Sequence, residues 1–400
     1  MRHSIVTKSS MACAMVLFAV SAVFMSQAIF LELSLAFGVD LARARFTFSA
    51  ASLSYASAFF VIGPISDRFN LPKMGCTGLL VVTLALVAAS CASSFHLFIW
   101  AMGTLGFFAA LVPASMFPHI TRIVPEAQRG PYIGALVASG TLGIVLGRVI
   151  MGLLTAQFGW TVAFRILAGG ILALTLLSWG ILVEKGEASP QSTHGLATLY
   201  KKSFGLLAMG RPVLLFSTGF LLFFGYLGMI TFLTYRLVGA PFHFTSAEVG
   251  WISMAGVTAV IAPFSGHMAQ RRGIFQIALP SLGAALLSLQ LLGWGTTIPM
   301  IIAGILILFA GVYTCQPLIF LLIGRCVPQE SLATASSLYI LVCIGGGSLS
   351  SIWLGPLWLF HGWVGITLAC SVSLLAAMAI LIFLAWKDQV RHQTVQATPV

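Results

Sequence analysis

Twelve long apolar stretches, separated by short polar gaps, restrict the fold of this chain more than any other feature. A helix needs about 20 apolar residues to cross a bilayer. Only 7% of the residues are charged, against about 25% in a soluble domain. The sequence therefore predicts an all-α membrane protein. Its twelve spans, numbered in chain order, cover residues 11–37, 46–66, 74–94, 97–121, 131–157, 161–183, 212–237, 246–269, 275–294, 298–323, 333–355 and 364–386.

The basic residues in the gaps between spans predict the orientation. Fifteen of the twenty fall on one side: Arg2, Lys8, Arg68, Lys73, Arg122, Arg129, Lys185, Lys201, Lys202, Arg211, Arg271, Arg272, Arg325, Lys387 and Arg391. Arg43 and Arg45 fall on the other side. Because cytoplasmic loops are enriched in Lys and Arg, both termini are expected in the cytoplasm. The net charge of +11 is spread over single loops, which argues against nucleic-acid binding.

An internal repeat with an offset of 203 residues divides the chain in two. It relates Gly63–Asp67–Arg68 to Gly266–Gln270–Arg271, Arg122–Val124–Pro125 to Arg325–Val327–Pro328, and Gly159–Trp160 to Gly362–Trp363. Duplicated helix bundles are typical of transporters. We expect six-helix bundles at 1–183 and 212–386, related by a pseudo-two-fold axis. Residues 184–211 form a cytoplasmic linker with a surface helix, and 387–400 form a cytoplasmic tail.

The segment Gly63 to Lys73 resembles the loop motif of major facilitator superfamily transporters, and the likeness extends over essentially the whole chain. This resemblance implies the major facilitator fold, with Asp67 capping a helix of the other half and Arg68 joining a charge network that closes the inner side. A carboxylate at a helix N-terminus is stabilised by the unpaired N–H groups and the dipole there. The second copy has Gln270 in place of the acid, so only the first loop is expected to form a charged latch.

Small residues recur at four-residue spacing in spans 5 and 11, which favours close helix contacts. They are Ala135, Ser139, Gly143 and Gly147 in span 5, and Cys343, Gly347, Ser351 and Gly355 in span 11. The span 5 stripe resembles the antiporter motif of the superfamily. Its Gly147–Arg148 pair, where that motif has Gly-Pro, is similar to a bacterial drug:proton antiporter branch. The arginine that many proton-driven exporters carry in span 4 is missing between Phe98 and Gly106.

Ionisable groups inside membrane spans are costly and are therefore functional candidates. Glu32 is the one acid well inside the hydrophobic layer, so it is the candidate proton carrier. The offset maps Glu32 onto Tyr235, beside Arg236, and predicts a Glu32–Arg236 pair near the outer gate. Arg148 is expected to contribute to coupling or to pair with Glu248, and His119 is a further coupling candidate.

Spans 1, 4, 7 and 10 line the central cavity in the superfamily. The resemblance therefore implies a substrate cavity whose candidate lining is Gln27, Phe30, Phe107, Tyr226, Tyr235, Tyr313 and Gln316, along with Glu32, His119 and Arg236.

Several function classes lack their motifs. There is no phosphate-binding Gly-x4-Gly-Lys-Ser/Thr, no His-Glu-x-x-His and no Gly-x-Ser-x-Gly, so we expect no enzyme, no cofactor and no metal. The seven cysteines have no zinc-type spacing and fit small buried side chains.

The sequence predicts a monomeric secondary transporter in the lipid bilayer of the bacterial inner membrane. We expect proton-coupled export of a small amphiphilic molecule. The alternative is import or exchange of an organic anion, such as a carboxylate or a metal-chelating metabolite.

Overall fold

The computed structural model describes residues 4–62, 70–125, 129–183, 205, 210–327 and 332–396, and all of its secondary structure there is helical. Six of the predicted spans are single helices: Leu71–Ser90 (span 3), Arg129–Phe158 (span 5), Trp160–Leu182 (span 6), Gly210–Val238 (span 7), Ile274–Trp294 (span 9) and Ile298–Cys326 (span 10). Phe46–Ile62 forms the described part of span 2. The predicted 184–211 surface helix lies outside the described residues, apart from Gly205 and the start of span 7.

Three spans are interrupted. Span 1 runs as Ile5–Phe24, a 3₁₀ turn at Met25–Ala28, and Phe30–Phe37, while span 4 divides into Phe95–Ala109 and Leu111–Ile123. Span 8 consists of Ser246–Ser253, the 3₁₀ segment Met254–Ile261, and Ala262–Arg272. Interruptions of this kind inside a span commonly mark functional hinges.

Spans 11 and 12 are joined in one helical run, Leu332–Gln396, which reverses direction at Gly362 (φ 57°, ψ −146°). Nine helices of the described chain are long and apolar enough to cross a membrane. The run through Gly362 counts as two spans. The 17-residue helix of span 2 and the divided span 8 each add one more, so the total is twelve. The predicted twelve-helix fold is confirmed.

Local sequence explains where several helices begin. The side chain of Asn70 accepts a hydrogen bond from the Lys73 amide at the start of span 3, and Pro72 occupies the first turn. Thr245 and Glu248 form a reciprocal capping box at the start of span 8. These caps satisfy amide groups that a helix leaves without partners, and they fix the points where the chain enters each span.

Successive spans alternate in direction, so the bundle has two ends. We call the end that carries Ser4 the proximal end. The distal end carries the connections at Gly38, Gly159, His243, Gly295 and Gly362. Spans 1 and 5 pack together in the N-terminal half, and spans 7 and 11 pack together in the C-terminal half. Spans 2 and 11, and spans 5 and 8, form contacts between the halves.

Candidate functional site

The interruption of span 1 places a polar side chain between the two halves. Gln27 lies within the 3₁₀ turn and is fully buried. Its amide nitrogen donates to the hydroxyl of Thr231 in span 7 over 2.9 Å. Its amide oxygen is buried with no hydrogen-bond partner. The predicted cavity residue Gln27 therefore crosses the contact between spans 1 and 7 and keeps one free acceptor.

Arg148 of span 5 is buried near the middle of the bundle, with 2% of its surface exposed. Its Nε donates to the carbonyl of Ile144 over 3.1 Å, and its guanidinium carbon lies 5.5 Å from the centre of the Phe309 ring in span 10. The Nη2 group is buried with no hydrogen-bond partner. Arg148 thus reaches from the N-terminal half towards the C-terminal half with part of its donor capacity unused.

The predicted pairing of Arg148 with Glu248 is wrong. Glu248 is exposed, and its carboxylate accepts bonds from the backbone and hydroxyl of Thr245 at 2.8 and 2.9 Å. The capping geometry of span 8 uses this acid locally. The Glu248 carboxylate is therefore not the partner of the Arg148 guanidinium.

Two tyrosines of the C-terminal half complete a buried central cluster with Arg148 and Phe309. The hydroxyls of Tyr226 and Tyr313 lie 3.5 Å apart, and Arg148 is an electrostatic neighbour of both. The Phe309 ring contacts Tyr226 edge-on at 5.0 Å and stacks on Tyr313 at 5.8 Å. We call Arg148, Tyr226, Phe309 and Tyr313 the central cluster. It unites two predicted cavity residues with a predicted coupling residue.

The cluster lies deep in the membrane-spanning region. At a rise of 1.5 Å per residue, Arg148, Tyr226 and Phe309 are each roughly 15–18 Å from the distal ends of their helices. That is about half of the hydrocarbon thickness. A recess beside the cluster is lined by Arg148, Phe309, Ile230, Leu233, Thr234, Leu237, Val249, Ile252, Ser253 and Ile305. These described lining residues are apolar apart from one cation and two hydroxyls.

A second set of contacts closes the distal end between the halves. The Tyr235 hydroxyl in span 7 donates to the carbonyl of Leu41 over 2.6 Å, and the Phe30 ring meets the Tyr235 ring edge-on at 5.9 Å. Arg45, only 6% exposed, lies 5.8 Å from the Phe232 ring and against the backbone of Gly355 in span 11. We call Phe30, Arg45, Phe232, Tyr235 and Gly355 the distal seal.

Hydroxyl groups extend the contact below this seal. Ser52 of span 2 accepts from the Ser348 hydroxyl of span 11 over 2.7 Å, and Ser49 shares a short hydrogen bond with Ser351. These polar contacts join the halves along one face of span 2. The structure is therefore closed at the distal end.

Arg236 and Glu32 do not form the predicted pair. The Arg236 guanidinium donates to the carbonyls of Leu292 and Gly295, both at 2.6 Å, and lies 4.8 Å from the Trp363 ring. A cation at the last carbonyls of a helix is a stabilising cap, so Arg236 ties together spans 7, 9 and 12 of its own half. Glu32 is half-buried, and its Oε2 has no hydrogen-bond partner.

Other candidates lie away from the central cluster. Phe107 is half-buried and contacts the Phe108 ring, while His119 is buried near the proximal end of span 4. The backbone carbonyl of Gln316 accepts from the Tyr339 hydroxyl over 3.3 Å. Asp67 and Arg68 lie outside the described residues, so the proximal latch stays a prediction.

Sequence reasoning missed Arg45. It was counted as a loop residue on the outer side, whereas the structure buries it between the halves. The available signal was its position directly before Phe46, where an apolar span begins. Within the described part of the chain no group of three or more His, Cys, Asp or Glu could hold a metal ion, and its seven cysteines are unpaired.

These features describe a helical membrane protein with a buried polar cluster between its two halves. Residues 10–351 match the family model of the Major Facilitator Superfamily, and the chain belongs to that superfamily. The inner membrane transport protein YnfM of Escherichia coli K12 is 26% identical over 252 residues, which cover 63% of this chain and 60% of YnfM.

Two further relatives match over most of their length. An uncharacterized transporter of Buchnera aphidicola subsp. Schizaphis graminum is 24% identical over 366 residues, covering 90% of this chain and 87% of the relative. The uncharacterized MFS-type transporter YybF of Bacillus subtilis is 23% identical over 358 residues, covering 88% and 87%. The chain is thus a multi-pass membrane transporter with relatives in bacteria.

Proposed function

We propose that the chain is a secondary active transporter of the bacterial inner membrane that exports a small amphiphilic molecule in exchange for protons. The observation that carries this proposal is the buried, mostly apolar recess at the central cluster, placed between two halves that meet at a distal seal. A site between two bundles can be exposed to either side in turn. The proposed orientation, with both termini in the cytoplasm, makes the distal side the periplasmic side.

Glu32 is the proposed proton carrier. It is the one acid well inside a span among the described residues, since Glu248 lies in the first turn of span 8, and one of its oxygens is buried without a partner. An acid that is desolvated in one conformation and hydrated in another binds its proton with different affinities. That difference is what coupling to a proton gradient requires.

Proton flux in everted membrane vesicles tests this assignment. Addition of transported amphiphilic dyes should dissipate a preset pH gradient in vesicles with the wild-type protein. Glu32→Gln should abolish that proton release and spare dye binding, because the amide keeps the shape but has no titratable proton. A Glu248→Gln variant is the matched control, since that acid only caps span 8. If Glu32→Gln still accumulates dye with the pH difference alone, Glu32 is not the carrier and His119 is tested next.

Orientation and fold can be tested separately. Reporter fusions after residues 190 and 395 should both report the cytoplasm. A periplasmic signal at either position would overturn the proposed topology. A single molecular mass in detergent should match one chain, because we expect a monomer.

A second candidate function is import or exchange of an organic anion. One observation favours it. The buried cation at position 148 has no acidic partner among the described residues, and an ionisable residue inside a span usually pairs with another group or marks a substrate pathway. Comparison of acidic and cationic compounds as transport substrates separates the two candidates.

A further inference from the structure

The central cluster contains a charge that the described protein does not neutralise. Four acidic residues lie in the described part of the chain, and none of them binds Arg148. Asp388 pairs with Arg211, Glu248 caps span 8, and Asp40 accepts from the Arg43 amide in the distal connection. Glu32 has no ion pair among the described residues and lies in the distal part of span 1.

This arrangement is costly unless an anion joins it for part of the transport cycle. An arginine stays protonated even when buried. A buried charge with no counter-charge is strongly unfavourable, because the charge has lost its hydration. The bond to the Ile144 carbonyl, the neighbouring Tyr226 hydroxyl and the contact with the Phe309 ring reduce this penalty, but Nη2 still has no partner.

The groups around Arg148 supply donors and lack a strong acceptor. Tyr226 and Tyr313 place their hydroxyls next to each other, and one hydrogen of that pair remains free to turn towards a third group. Guanidinium and phenol donors at one place are complementary to a compact anion. Arginine in particular matches the two oxygens of a carboxylate.

The surroundings distinguish between kinds of anion. Phosphate groups are generally met by clusters of basic residues, whereas Arg148 is the one basic residue among the described residues that line the recess. The remaining lining is dominated by side chains such as Ile230, Leu233, Ile252 and Ile305. A ligand that is complementary both to the single arginine and to the apolar lining has one negative charge, on a carboxylate, and an apolar body.

We propose that Arg148 binds the carboxylate of the transported molecule, with Tyr226 and Tyr313 donating hydrogen bonds to it and the apolar body lying against spans 7, 8 and 10. This inference rests on the proposed function as a transporter and names its substrate class. In the present conformation the recess has room for little more than a water molecule. The carboxylate therefore binds in a conformation in which the halves have moved apart.

The test compares acids with their own amides. Purified full-length protein is titrated with aromatic and branched aliphatic carboxylates, such as benzoate and 4-methylpentanoate, each beside its neutral amide. Thermal stability reports binding, and counterflow in proteoliposomes reports transport. Wild-type protein should bind acids at least tenfold more tightly than the matching amides. Arg148→Gln should remove that preference, while Arg148→Lys should retain part of it, because lysine keeps the charge but loses the two-pronged geometry.

A matched control separates a local effect from a general one. Arg165 also lies in a span but is exposed and bonds to Ser90 over 3.3 Å, so Arg165→Gln should keep the preference for acids. Tyr226→Phe should weaken acid binding more than amide binding. These ratios within one variant do not depend on how much folded protein each variant yields.

The outcomes distinguish this inference from the proposed function. If the wild type transports amides or cationic dyes as well as acids, or if Arg148→Gln keeps the acid preference, the carboxylate site is refuted and the transporter proposal stands. If folded protein moves none of the acids, amides or dyes, both proposals fail.

Discussion

The interface between spans 1 and 5 and the interface between spans 2 and 11 are built from different chemistry. The first lies within the N-terminal half and brings glycine against backbone: a β-carbon at Gly143 would lie 2.5 Å from the Leu17 carbonyl oxygen. The second joins the two halves through serine hydroxyls and a buried arginine. In the first interface the Ser21 hydroxyl donates to the Gly143 carbonyl over 3.1 Å, whereas the second joins hydroxyl to hydroxyl across the halves.

The difference corresponds to permanent and reversible contacts. Glycine packing gains stability from van der Waals contact at close range, and a gap of about 0.5–1 Å already removes a quarter to a half of that attraction. Hydroxyl pairs can exchange their partner for water when the halves open. Arg45 also has Nε and Nη1 groups that are buried without partners, which lowers the cost of releasing it. The interface between spans 2 and 11, which must open during transport, is therefore the one whose hydrogen-bonding groups are only partly paired.

The largest effect is expected from Gly147→Leu in span 5. A β-carbon there would overlap the backbone of Ser21 in span 1, and backbone in a packed bundle cannot move aside cheaply. Overpacking typically costs about 1–3 kcal/mol, so we expect most folded protein to be lost. Size-exclusion profiles of detergent extracts measure this. Gly169→Leu is the control, since no atom lies within 4 Å of its added β-carbon. Equal yields of both variants would remove the distinction between the interfaces.

An intermediate effect is expected from Gly355→Ala at the distal seal. The added methyl would overlap the Arg45 guanidinium, which is the end of a flexible side chain and can move. We expect normal folding, several-fold slower transport, and higher labelling of a cysteine introduced at position 41. Gly345→Ala is the control because its surroundings are open. Combining Gly355→Ala with Arg45→Ala should restore closure of the distal seal, because the shorter side chain at position 45 makes room for the added methyl group. A Gly355→Ala variant that stays folded and transports at the wild-type rate would show that the seal is not a gate.

The smallest effect is expected at the hydroxyl pair Ser49 and Ser351. Hydrogen bonds between membrane helices contribute about 0.6 kcal/mol on average, and removing both partners is nearly neutral. Ser49→Ala, Ser351→Ala and the double variant form a thermodynamic cycle, measured by thermal unfolding in detergent. We expect a coupling energy of about 0.5 kcal/mol. A coupling several times larger would place this interface among the permanent contacts.

The fold could be predicted further than the site. Span number, the internal repeat and the close packing at Gly143 and Gly147 follow from composition and spacing, because bilayer thickness and helix geometry leave few alternatives. The 203-residue offset also placed Gly159 and Gly362 at equivalent positions, and both adopt positive φ angles where spans reverse. The spacing of apolar and small residues along the sequence follows directly from bilayer thickness and helix geometry.

The partners of charged side chains could not be predicted in the same way. Arg236 was expected to meet Glu32, but it found the carbonyls at the end of span 9, which carry no sequence signature. Arg45 was assigned to a loop because a pattern of apolar residues does not show that a chain turns back between two bundles. Arg148 was predicted to be a coupling candidate. That its Nη2 group has no hydrogen-bond partner could not be predicted, because this depends on where every nearby acid lies.

The reversals at Gly159 and Gly362 also constrain how the chain is made. In each, a single residue separates two spans: Phe158 ends one helix and Trp160 begins the next, and the run through Gly362 has no loop at all. A polar loop between two spans would allow the first helix to insert alone, with the loop already on the far side of the membrane. Neither reversal has such a loop, so we expect the second helix to insert together with the first. Spans 5–6 and 11–12 are therefore expected to leave the insertion machinery as paired hairpins during synthesis.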